Sequence, residues 1–114
     1  MFYTYRQNNS GGSFVYDEER SLAQYVIVEA DSIAEANERA EMLGIYFDGV
    51  DDGYDCECCG DRWYRADTYD ESETPTIYGQ PVEEYLGTRY AKMFQEEGQH
   101  LVFLHYKSGN VRVW

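Results

Sequence analysis

Gln24-Tyr25-Val26-Ile27-Val28-Glu29-Ala30, followed by Ser32-Ile33-Ala34-Glu35-Ala36-Asn37-Glu38-Arg39-Ala40-Glu41-Met42-Leu43-Gly44, is the stretch on which the fold turns. The first segment is β-branched at its centre and apolar without a break, which predicts an interior strand covered on both faces. In the second, Ser32 opens a helix as N-cap and Glu35, three residues on, completes a capping box. Ile33, Ala36, Ala40 and Leu43 fall on one narrow apolar stripe, whose small alanines let the helix lie close on a sheet. Glu35 and Arg39 are spaced as an i, i+4 pair on the wet side, and Gly44 suits the C′ position.

Working outward, Phe2 to Gln7 alternates aromatic and polar residues and reads as a strand. The turn signal Asn8-Asn9-Ser10-Gly11-Gly12 leads to Ser13-Phe14-Val15-Tyr16 as its expected partner. Ile45-Tyr46-Phe47 and Thr76-Ile77-Tyr78 read as short extended pieces. Pro81 at N1 opens a helix with Val82, Leu86, Tyr90, Met93 and Phe94 on one face. Gly87-Thr88 interrupts that pattern, and a strand from Arg89 to Gln95 turning at Glu96-Glu97-Gly98-Gln99 competes with it. His100 to Tyr106, the turn Lys107-Ser108-Gly109-Asn110 and Val111 to Trp114 form a closing hairpin. The sum is a single α+β domain over 1–114. It has an antiparallel sheet, one or two helices packed on one face, and a long acidic Cys-containing insertion at about 48–75.

That insertion concentrates the chemistry. The chain has 114 residues and a net charge of −13. Residues 48–73 hold Asp48, Asp51, Asp52, Asp55, Glu57, Asp61, Asp67, Asp70, Glu71 and Glu73 against only Arg62 and Arg65. Such a field repels phosphate backbones, so direct nucleic-acid binding is not expected. It attracts a basic protein surface and speeds encounter with it. Asp51, Asp52 and Asp55 are the steering acids in this reading. Tyr54, Trp63, Tyr64 and Tyr69 are the anchors, since Tyr and Trp give large contact area at low entropy cost. The competing reading is that a small domain poor in Leu spends its aromatic rings on its core.

All three cysteines lie in Cys56-Glu57-Cys58-Cys59-Gly60. Thiols this close cannot build a cross-linking framework, but thiolates are good zinc ligands. Cys56, Cys58 and Cys59 supply three donors, and a fourth must come from elsewhere. His105 leads the candidates because a strand would hold it rigidly; His100, Asp55 and Asp61 follow. The spacing departs from the two separated Cys pairs of ordinary zinc sites. The cysteines would otherwise pack beneath the loop as small hydrophobes. A Cys58–Cys59 disulfide would be strained and disfavoured in a reducing compartment. Asp48-Gly49-Val50-Asp51-Asp52-Gly53 fails as a calcium loop, because Val50 and Cys59 stand at ligand positions. A Cys59–His105 nucleophile pair is conceivable, though acidic surroundings raise a thiol pKa. No phosphate loop, Ser-His-Asp order or HExxH pattern occurs.

Asp55-Cys56-Glu57-Cys58-Cys59-Gly60-Asp61-Arg62-Trp63 resembles a Cys-x-Cys-Cys-Gly-x-Arg-Trp motif of small uncharacterised proteins of tailed bacteriophages. Ala30 to Gly44, Thr76-Ile77-Tyr78-Gly79 and His105-Tyr106-Lys107-Ser108-Gly109 are similar to that group as well. The resemblance implies a setting, a phage accessory protein made in the cytoplasm of an infected bacterium. The Met1–Arg6 start lacks a basic, apolar leader, and no apolar run is long enough for a membrane span. The leading expectation is a non-enzymatic protein that binds a host protein with a basic surface and carries a structural zinc. It would act by inhibiting a defence or nucleic-acid-handling factor. A small metal-dependent or thiol enzyme centred on Cys59 and His105 is the alternative, and a virion-associated structural protein is a third.

Overall fold

A computed structural model describes residues 1–9, 12–95 and 97–114. Five strands form the main sheet: β1 (Phe2–Arg6), β2 (Tyr25–Glu29), β3 (Glu71–Ser72), β6 (Val102–His105) and β7 (Val111–Val113), in the order β3-β1-β2-β6-β7. A second, two-stranded ladder joins β4 (Thr76–Ile77) to β5 (Gln80–Pro81). Among the described residues there are three α-helices, α1 (Ile33–Leu43), α2 (Val82–Leu86) and α3 (Arg89–Phe94), and a 3-10 turn at Thr68–Asp70 leads into β3. The architecture is α+β. No helix among the described residues is long and apolar enough to cross a membrane.

β2 is the interior strand its composition predicts, with β1 on one side and β6 on the other. Its side chains alternate between two cores, as strand geometry requires. Val26 and Val28 join Tyr3, Tyr5, Ala36, Ala40 and Trp63 on one face. Tyr25 and Ile27 join Val82, Tyr85, Val102 and Leu104 on the other. The helices are therefore divided between the two faces, α1 on one and α2 on the other, rather than sharing one. The β2–β6 pair is parallel, with Val28 opposite His105, so the sheet is mixed and not purely antiparallel. A parallel pair needs a crossover. Here that crossover is the whole segment between β2 and β6, which carries α1 over one face and α2 over the other.

α1 starts and stops where its caps dictate. Ser32 accepts a hydrogen bond from the Glu35 amide, and Gly44 closes the helix in the left-handed region. The expected Glu35–Arg39 pair is not made. Arg39 reaches across the sheet end to the carbonyls of Glu29 and Tyr106, while Glu35 lies 3.9 Å from Lys107. Phe14 to Tyr16 is not a strand, and β1 pairs instead with β2 and with β3. Ser10 and Gly11 of the expected turn lie outside the described residues. Ile45 to Phe47 is likewise not extended pairing structure. The helix expected from Pro81 is two helices, broken at Gly87-Thr88, where Thr88 caps α3 by accepting from the Ala91 amide. Glu96 of the competing turn lies outside the described residues. The closing hairpin forms as expected, with His105 opposite Val111.

Candidate metal centre and the acidic loop

The acidic segment is held from beneath by its own carboxylates. The Asp55 side chain is 1% exposed and accepts from the Tyr46 hydroxyl at 2.9 Å and the Arg62 amide at 2.9 Å. The Arg62 guanidinium lies 3.9 Å from the same carboxylate. Burial, then the bond to Asp55, pushes the Tyr46 hydroxyl pKa up. Gly49 makes room for this arrangement: a Cβ there would stand 1.8 Å from Asp55 Oδ2. Asp61 accepts from the Val50 amide at 2.9 Å, and Asp48 forms a two-point pair with Arg65 at 3.1 and 2.7 Å. That guanidinium holds the Asp48 carboxyl below its usual range. Further along, Asp70 pairs with Arg6 at 3.0 Å and Glu71 accepts from the Tyr3 hydroxyl.

Trp63 is 3% exposed and belongs to the α1-side core. It therefore nails the loop to the domain and cannot be a partner anchor, a correction to the expectation from its residue type. Asp55 is corrected in the same way, from steering charge to internal brace. Asp51, Asp52, Tyr54, Tyr64 and Tyr69 are exposed, as a partner-facing role requires. Asp51, Asp52 and Glu57 make no side-chain bond among the described residues. The tyrosines divide: Tyr3, Tyr5, Tyr25 and Tyr85 build core, while Tyr54, Tyr64 and Tyr69 do not.

Between the two braces, Asp55 and Asp61, the chain makes a tight turn. The amides of Cys59 and Gly60 both donate to the Cys56 carbonyl, at 3.2 and 3.1 Å, and Gly60 takes φ +85° to leave it. That backbone region suits glycine. Asn8, just beyond β1, donates its side-chain amide to the carbonyls of Cys59 at 2.7 Å and Asp61 at 3.1 Å. The turn is thus hung from the end of the sheet.

The three thiols converge on it. Cys58 Sγ lies 2.6 Å from Cys56 Sγ and 3.5 Å from Cys59 Sγ, and all three sulfurs fall within 4.8 Å of one another. All are free and exposed, which corrects the reading of them as small buried hydrophobes. The Cys56–Cys58 hydrogen bond lowers the Cys56 pKa and raises that of Cys58 to about 11. Sulfurs on one tetrahedral zinc stand about 3.8 Å apart, given Zn–S bonds of about 2.3 Å. Side-chain rotation at exposed residues covers that difference, so the three cysteines could hold a metal ion.

His105 does not join them. It is 5% exposed in β6, and its Nε2 donates to the Ser21 carbonyl at 2.8 Å. Burial holds its pKa below the ordinary value. It stands level with Val28 and Tyr3, whereas the cysteine turn hangs from Asn8, past the opposite end of β1. A Cys59–His105 catalytic pair is therefore not assembled, and His105 is corrected as fourth ligand. His100 packs edge-on to Phe103. Residue-type reasoning missed the groove of about 480 Å³ whose lining includes Tyr64 of the loop together with Arg6, Tyr78 and Tyr90. Its only sequence signal is the number of tyrosines placed outside strands.

The whole chain, residues 1–114, matches the family described as Domain of unknown function (DUF7296), and it belongs to that family. No curated protein and no solved structure matches it.

Proposed function

We propose that this family member is a non-enzymatic accessory protein of a tailed bacteriophage that binds a host protein in the cytoplasm of the infected cell. The partner presents a basic surface, and one zinc ion on Cys56, Cys58 and Cys59 keeps the binding turn in shape. The division of labour among the acids carries this reading. Asp48, Asp55, Asp61, Asp70 and Glu71 are engaged in bonds within the domain, whereas Asp51, Asp52 and Glu57 are exposed and make no side-chain bond among the described residues, and the ring of Tyr54 in the same loop is exposed as well. A braced, charged, aromatic platform loses little entropy when it docks. Host factors that handle nucleic acid or act in defence are the natural target class, because a groove made for phosphates is basic.

The test is capture from a bacterial lysate, followed by association kinetics with the protein retained. Reversing Asp51 and Asp52 to Lys should slow association about tenfold at low salt and flatten its salt dependence. Equal capture and equal on-rates for the reversed protein would contradict the steering role.

A further inference from the structure

A zinc site takes four donors, and the described residues bring only three together at the cysteine turn. Of the carboxylates around the turn, Glu57 is exposed and holds no internal bond among the described residues, whereas Asp55 and Asp61, which flank the turn, are engaged within the loop. Both Asp55 oxygens accept internal bonds beneath the loop, and Asp61 Oδ1 holds the Val50 amide. His105 is turned to Ser21 inside the sheet. All three cysteines are exposed, so an ion held between their sulfurs has one coordination position facing outward. Glu57 of the same turn, and Asp51, Asp52 and Tyr54 earlier in the same acidic loop, are exposed as well, and that loop is the surface assigned above to a partner.

We infer that the fourth ligand of this three-thiolate site is an imidazole or thiolate supplied by the bound partner, so that the metal bridges the interface. The inference rests on the binding reading above and names how that surface is recognised. Two alternatives for the open position are less suited to this chain. A second copy would bring another net −13 to the same surface, and like charges repel at such close range. Water would place an acidified nucleophile there, but three thiolates overbalance a divalent ion, and the net negative site lowers its power to acidify water. Histidine and cysteine on a basic surface satisfy both the coordination and the charge.

The experiment uses the full chain loaded with Co²⁺ under anaerobic conditions and titrated with free imidazole. Sulfur-to-cobalt absorption with d–d bands that shift saturably at one imidazole per ion is the expected result. Bands that ignore imidazole would mean a closed site and would overturn the inference. The variant Glu57→Gln adds a check, because imidazole sensitivity appearing only in that variant would show Glu57 to be the fourth ligand and overturn it too. A second arm measures binding of a Lys/Arg-rich peptide containing one His, against the same peptide with Ala, to the zinc-loaded protein. The His peptide should bind about tenfold more tightly, and chelator should abolish the difference. Equal affinities with salt-sensitive binding would overturn the bridging ligand alone. Absence of salt-sensitive binding by either peptide would strike the partner reading itself.

Discussion

Asp55 and Asp51 lie four residues apart in the same acidic run, and their roles are opposite. Asp55 is turned inward by three neighbours: Tyr46 and Arg62 offer donors, and Gly49 has no Cβ to exclude the carboxylate. Nothing local in the sequence distinguishes the two acids, because inward and outward depend on a glycine and an arginine amide brought near only by folding. Asp55→Ala should cost about 3 kcal/mol, since it leaves a largely buried guanidinium and a tyrosine hydroxyl without their carboxylate. Urea denaturation checks this, and Asp51→Ala, on the exposed side, should change stability by less than about 0.5 kcal/mol. His105 gives a pH-dependent counterpart. Its folded pKa is depressed by burial, so above the unfolded value neither state is protonated and nothing is lost. As the pH falls below about 6.5, the unfolded chain takes up a proton that the buried ring resists, and stability declines. His105→Gln keeps an N–H for Ser21. Its melting temperature relative to the native protein should rise between pH 6.5 and 5 and be flat above pH 7. A constant offset across that range would contradict the assignment.

At the scale of elements, the parts of the chain read correctly are those whose cause is local. The β2 run and the Ser32 and Gly44 caps of α1 are such cases, because propensity and capping act within a few residues. Strand pairing is not local. β1 rejects Phe14–Tyr16 and takes β2 and β3 as partners, which buries Tyr3 and Tyr5 beneath α1. The parallel β2–β6 pair was beyond reach for the same reason, its crossover being far longer than a strand-helix-strand unit. In the segment after Pro81 the interruption at Gly87-Thr88 was visible, and it splits the helix. Thr88 accepts from the Ala91 amide at 3.2 Å and donates to the Tyr85 carbonyl at 2.6 Å. Thr88→Ala removes both bonds and should cost about 1 kcal/mol, with Thr88→Ser restoring most of it. Thermal melts of the two variants make the comparison.

For the molecule as a whole, the sheet is the scaffold to which the acidic loop is fastened. β3 returns the loop to the sheet edge, Trp63 nails its middle to the core, and Asn8 suspends the cysteine turn from the end of β1. That three cysteines come together as a group that could hold a metal ion is legible in the sequence because they are adjacent. The exclusion of His105 from that group is not legible there, because the end of the sheet at which a strand residue stands depends on strand pairing far apart in the chain. Under the proposal above, Cys56, Cys58 and Cys59 hold one metal ion that organises this loop. Native mass spectrometry of untagged protein purified without added metal, before and after chelator, tests it most directly. The expected result is a mass excess of one zinc per chain, removed by chelator together with a fall in melting temperature. A metal-free mass with a melting temperature that chelator does not change would contradict it.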